Sequence, residues 1–292
     1  LTRQFGVYAK PTTVVPNTFN GSFLRSARAG FLRRASADEQ IVRIGYATGS
    51  FTHQRDLAEA VPALAQVLRE HPDARFVTFE GGVDFDEFPD FDGLRDQIEM
   101  RPRVPLEQLP DEYARFDLNI APLQVGNPFC EAKSELKFFE AALTGVATVA
   151  SPTEPYMAAI RHGETGFLAS RADEWYEALS LLVEDAALRS SVAAAAYEDV
   201  LWQFGPERLS SITTRLVHQL VGTPPNLASW THHAVEQSSG RPPVEIPEYE
   251  VLYKSSAAPP SPPAVAPPPS NHAHRREQAR EPLRTPTPRG RA

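Results

Sequence analysis

From residue 41 onward, short apolar runs take turns with longer amphipathic ones. Ile41-Val42-Arg43-Ile44-Gly45-Tyr46-Ala47 is rich in β-branched residues and predicts a strand, closed by a small polar loop at 48–55. Asp56 can then cap a helix reaching about His71, with Leu57, Val61, Leu64 and Leu68 on one face and Pro72-Asp73 at its end. Residues 75–79 predict the next strand, 81–93 a Gly- and Asp-rich loop, 97–104 a strand, 106–116 a short helix and 118–121 another strand. The stretch 128–145 opens with loop-like residues and passes into a strong helix former, in which Leu136, Phe139 and Leu143 make an apolar stripe. Val146-Ala147-Thr148-Val149-Ala150 follows as a short buried strand. Residues 155–162 then read as helical, 163–168 as a short extended piece, and 173–184, 186–202 and 206–221 as three helices.

Strands and helices in alternation imply an α/β fold, a parallel sheet with helices on both faces. Ligands of such sheets bind outside the carboxyl ends of the strands, and the loops 48–55 and 126–134 both follow strands. Residues 1–40 read differently. Thr13-Val14-Val15 is a short extended run closed by Pro16-Asn17-Thr18, and the Arg- and Ser-rich residues after it show no clear period. They are expected to be a linker leading into a domain at 41–222. Trp175, Tyr176, Trp202 and Phe204 fall at helix-packing spacings and are expected in the core.

At Pro224 the composition changes. The last 69 residues hold 15 of the 28 prolines, so 223–292 is expected to be a Pro-rich disordered tail that cannot bury enough apolar surface to offset its ordering entropy. The net charge is −8, and the tail carries eight Lys or Arg against six Asp or Glu, so the acidic surplus lies in the folded part. Nucleic acid is therefore not expected as a partner. Cys130 is the single cysteine, which excludes an intrachain disulfide and a thiolate cluster. No signal peptide and no apolar run long enough to span a bilayer is present. The expected location is cytoplasmic, with room for peripheral association at the inner face of a membrane. The first residue is Leu rather than Met, so the sequence reads as part of a longer protein.

The candidate chemistry lies in 128–145. On a helix beginning near Lys133, that residue, Lys137 and Glu140 would stand at i, i+4 and i+7 and share one face. A helix N-terminus carrying Lys133 and Ser134 favours an anion such as phosphate. Glu140 would lie roughly 9 Å further along the axis, where a carboxylate can accept hydrogen bonds from sugar hydroxyls. The plainer reading is that these charges solvate an outer helix face.

The stretch 127–151, with Lys133-Ser134, Lys137 and Glu140 ahead of Gly145, together with Gly163-Glu164-Thr165-Gly166-Phe167-Leu168, resembles the donor-binding half of GT-B glycosyltransferases. More narrowly it is similar to the group-1 retaining family, over roughly residues 11–221. The resemblance implies a Rossmann-like domain, the C-terminal half of a GT-B fold, that takes a nucleotide-diphosphate sugar as donor substrate and needs no cofactor or metal. It implies ribose contact for Glu140, diphosphate contact for Lys133 and Ser134, and phosphate contact from the loop 48–55, through Arg55 first and then His53 and Ser50. Lys133, Lys137 and Arg55 would stabilise the departing diphosphate. The family's first acidic residue would fall at Ala132, and Glu131 beside it is the expected substitute. A saccharide or lipid-linked acceptor in cell-surface polysaccharide or glycan synthesis, and a preceding acceptor domain absent from this sequence, are implied as partners. The fragment alone is then expected to turn over little.

Other chemistries find less support. Asp84-Phe85-Asp86 and Asp90-Phe91-Asp92 could hold a divalent ion, but they lie away from the stretch that carries the resemblance. No HExxH pair, GxSxG elbow, GxxxxGK[ST] loop or dinucleotide glycine fingerprint occurs. The alternative of a different class is a non-catalytic Rossmann-like module that binds a nucleotide or a protein.

Overall fold

A computed structural model describes residues 14–34, 41–49 and 53–221. The expected tail, and the expected site residue Ser50, lie outside the described residues. In chain order the helices are α1 (Gly21–Arg34), α2 (Gln54–Leu57), α3 (Val61–Glu70), α4 (Leu109–Tyr113), α5 (Leu136–Leu143), α6 (Glu154–Ala159), α7 (Ala172–Glu184), α8 (Ala186–Gln203) and α9 (Pro206–Val221). The strands are β1 (Val42–Gly45), β2 (Ala74–Phe79), β3 (Ile98–Arg101), β4 (Leu118–Ala121), β5 (Ala147–Ala150) and β6 (Phe167–Leu168).

The six strands form one parallel sheet in the order β3-β2-β1-β4-β5-β6. Side chains alternate across it. Ile44, Phe76, Leu118, Ile120 and Val149 point to one face, where Leu64, Leu68, Trp175, Leu179 and Leu182 of α3 and α7 cover them. Val77, Phe79 and Val146 meet Tyr113, Phe116 and Ala141 on the other. The expected aromatic core holds for Trp175 and Phe204, which are buried, while Tyr176 and Trp202 are partly so. The order reverses between β1 and β4: from β1 the chain steps outward to β2, and from β4 it steps outward the other way to β5. Such a reversal leaves a crevice at the carboxyl ends of the two central strands.

Three elements differ from the expected ones. The helix expected over 56–71 breaks after Leu57 and restarts at Val61, because Pro62 has no N–H to bond back to Ala58. A proline inside a continuous helix costs about 3 kcal/mol or more, whereas in a first turn it costs little. Residues 21–34, expected to be irregular, form α1, which packs against α4 and α5. Its buried positions are Leu24, Ala27 and Gly30. Two of these are small, which hides the period. The approach is close: a Cβ on Gly30 would lie 2.8 Å from that of Ala114. Finally, α5 starts at Leu136 rather than near Lys133, and Lys133 itself is extended, with φ −72° and ψ 143°.

Candidate functional site

The late start of α5 follows from where Lys133 goes. Its Nζ lies 2.6 Å from Oδ2 of Asp56, in a carboxylate whose side chain is 4% exposed. Hydrogen bonds to charged groups contribute about 1.5–3 kcal/mol, while helix propensities differ by only ~0.7 kcal/mol per ordinary residue. The tertiary contact therefore outweighs one more helical turn. Asp56 is not the helix cap expected of it. His53 Nδ1 also stands 3.1 Å from Asp56 Oδ2, and Cys130 Sγ donates to Oδ1 at 3.2 Å. Burial would raise the Asp56 carboxyl, but the hydrogen bonds from His53, Lys133 and Cys130 outweigh it and hold the group below the usual carboxylate range. Burial and the Asp56 charge push the Cys130 thiol and the Tyr46 phenol up.

These groups come from the loops after β1 and β4, the two strands that flank the reversal of strand order. His53 and Lys133, 80 residues apart, stand 3.4 Å from each other at that crevice. Phe129, 72% exposed, lies beside them, its ring centroid 5.1 Å from Lys133 Nζ. Below, α5 places Lys137 and Glu140 three residues apart on one face. Lys137 Nζ lies 5.8 Å from the centroid of the Tyr46 ring, and burial pushes its ammonium down. Glu140 is buried, and its Oε2 accepts a hydrogen bond from Tyr113 Oη at 3.1 Å. Burial raises its carboxyl to about 7 against the smaller opposing effects of Tyr113 and Lys137.

The fold thus gathers His53, Lys133, Lys137 and Glu140, though not on one helix face: Lys133 reaches the site from the loop. Ser134 sits next to Lys133, with its Oγ accepting from Asn17 Nδ2 at 2.8 Å. Glu131 turns elsewhere. Its two oxygens accept from Gly126 N and Glu154 N, both at 2.9 Å, and so tie the β4 loop to the start of α6. Arg55 is exposed and lies outside the cluster that forms around Asp56. Sequence reasoning missed Asp56, Tyr113 and Tyr46. Only Asp56 carried a signal, as an acidic residue three positions after a histidine in a site loop.

The Asp84 and Asp90 motifs are structural. Phe85 and Phe91 pack edge to face at 5.4 Å in the core, and Asp84 Oδ1 accepts from Asp86 N. Among the described residues no group of three or more His, Cys, Asp or Glu is placed to hold a metal ion. A cavity of about 510 Å³ is lined by Ile41 and Asp117, which lead into the two central strands β1 and β4. Carboxylates face its arginines: Arg33 pairs with Asp111, Arg43 with Glu99, and Arg101 and Arg115 share Glu112. At the crevice, by contrast, unlike charges converge from separate loops at a reversal of strand order.

Sheet order and crevice define a doubly wound α/β domain with a charged site at its switch point. Residues 40–185, half of the chain, match the family described as glycosyl transferases group 1, and the chain belongs to that family. No curated protein matches it. Solved structures of similar fold include sucrose-phosphate synthase from Thermosynechococcus elongatus, with TM-score 0.54 and 20% identity over 75% of this chain and 55% of that one. Anabaena HepE, in complex with UDP-glucose, aligns with TM-score 0.51 and 18% identity over 70% and 54%. TarM from S. aureus (a point variant, with fondaparinux, α-GlcNAc-glycerol and UDP) gives 0.51 and 12% over 62% and 36%. The chain spans between about a third and just over half of their lengths. The fold is the C-terminal half of GT-B, as the resemblance implied. No helix among the described residues is long and apolar enough to cross a membrane.

Proposed function

We propose that this chain supplies the donor-binding domain of a glycosyltransferase and holds the nucleoside diphosphate of a nucleotide sugar in the crevice between the β1 and β4 loops. The carrying observation is the meeting of His53 and Lys133 above Lys137 and Glu140 at the one reversal of strand order. Lys133 and His53 meet the diphosphate, with the Ser134 hydroxyl beside them, and Glu140 accepts from ribose hydroxyls. Arg55, exposed and outside the cluster, is left out of this assignment. In transfer, the bond between the anomeric carbon and the phosphate oxygen breaks, the diphosphate leaves with the electron pair, and an acceptor hydroxyl oxygen bonds to that carbon and gives its proton to the departing phosphate. The cationic side chains lower the barrier by opposing that growing charge. Retention, an acceptor in cell-surface polysaccharide or glycan synthesis, a cytoplasmic location, and dependence on a separate acceptor domain complete the proposal. Complexes of HepE with UDP-glucose and of TarM with UDP favour a uridine nucleotide.

A second reading, a non-catalytic nucleotide-binding module, is favoured by one observation: Ala132 stands where the family's first acid belongs, and Glu131 is engaged with backbone N–H groups. Calorimetric titration of UDP, GDP and dTDP into the chain tests the donor site. Binding by one of them is expected, with loss of roughly tenfold or more in Lys133→Ala and in Glu140→Ala. Absence of binding by all three would overturn the proposal.

A further inference from the structure

Asp56 lies under the site without facing into it. Three donors converge on its two oxygens: Lys133 Nζ at 2.6 Å, His53 Nδ1 at 3.1 Å and Cys130 Sγ at 3.2 Å. Two of these come from the β4 loop and one from the β1 loop, so this single carboxylate bridges the two sides of the crevice. Its own element is fixed from behind. Leu57 is fully buried, and Gln54 exchanges hydrogen bonds with the backbone of Asp84, donating to its carbonyl and accepting from its N–H. A rigid, buried anion of this kind restricts flexible side chains. With Nδ1 on Asp56, His53 turns Nε2 away from the carboxylate, and Lys133 keeps ammonium protons beyond the one given to Oδ2.

We propose that Asp56 is the positioning residue of the site: it contacts no ligand, but holds Lys133 and His53 side by side so that both meet one diphosphate. The inference rests on the donor-site reading and adds to it a residue with no assigned role. A contrary effect makes it testable. A carboxylate so near the groups that meet the diphosphate also repels an incoming phosphate. If neutralisation were its main effect, removing the charge would tighten diphosphate binding. If positioning is, removal weakens it.

The test compares the affinities of UDP, GDP and dTDP with those of UMP, GMP and dTMP, by calorimetry on the 292-residue chain. The ratio within the best-bound pair isolates what the second phosphate contributes. In Asp56→Asn that advantage is expected to shrink roughly tenfold, while the monophosphate keeps its affinity. Asp56→Glu, which preserves the charge, is expected to recover part of it. In a Lys133→Ala/His53→Ala background, Asp56→Asn is expected to change nothing further, because a positioning residue acts only through its partners. An advantage that is unchanged or larger in Asp56→Asn would overturn the proposal. So would an equal loss for mono- and diphosphate, or a further loss in the double-variant background. If Asp56→Asn does not fold, Asp56→Glu is read by the same ratio, and an equal loss for both ligands overturns the role. Wild-type chain that binds none of the diphosphates overturns the donor-site reading itself and this role with it, an outcome distinct from the others.

Discussion

Glu140 is only 9% exposed, yet it is the carboxylate to which the proposal assigns the ribose contact. Keeping it at the base of a crevice has a cost that pH reveals. The folded protein holds its proton until about pH 7, whereas the unfolded chain releases it near the ordinary glutamate value of 4.5. Between those values the folded state binds more protons than the unfolded one, so stability falls as pH rises through the window. The contribution is on the order of 3 kcal/mol. It is fully lost above the folded pKa. Glu140→Gln cannot ionise but still accepts from Tyr113. Its melting temperature is therefore expected to fall less than that of the wild type between about pH 5 and pH 7.5. Parallel curves for the two proteins would assign the dependence to another group. The same substitution is expected to weaken nucleotide binding, which sets stability against function at one residue.

At the scale of elements, two glycines let helices and strands approach where any side chain would interfere, and they are expected to differ in cost. Gly145 turns the chain from α5 into β5 with φ +70°, and a Cβ there would meet Phe31 at 2.3 Å. Phe31 is at the surface and can swing aside, so the left-handed backbone dominates, and Gly145→Ala should cost about 1–2 kcal/mol. Gly45 in β1 would place its Cβ 2.1 Å from Phe116, whose buried ring is held against Tyr113 at 5.6 Å. Overpacking there has no easy outlet, and Gly45→Ala is expected to cost about 3 kcal/mol. Urea unfolding of the two variants checks the order. A larger loss for Gly145→Ala would mean that the Phe116 layer yields more readily than its burial suggests.

For the molecule as a whole, a ligand that binds only the folded state must stabilise it. A nucleoside diphosphate at one hundred times its Kd adds about 2.7 kcal/mol, which corresponds to roughly 5 to 10 °C for a domain of this size. Thermal melts with and without the nucleotide that binds by calorimetry should show that rise. Calorimetric binding without it would place the heat outside the folded domain. Beside Lys133 the crevice carries the exposed ring of Phe129.

Local pattern was enough to place every strand of the sheet within a few residues, because most are short apolar runs between turn residues, as strands covered on both faces require. It also showed Lys133, Lys137 and Glu140 as the charged group of interest. It did not show α1, whose buried positions are Leu24, Ala27 and Gly30, since two of the three are small and leave no hydrophobic period to read. Nor did it show that Asp56, 77 residues from Lys133, would draw that lysine out of a helix. Helix propensity is a local quantity of a few tenths of a kcal/mol per residue. The ion pair that overrules it exists only once the reversal of strand order has brought the β1 and β4 loops together. The sequence alone determined the strands, most of the helices and the charged residues available to the site, and tertiary structure decided which of those residues meet, because their partners are close in space but not along the chain.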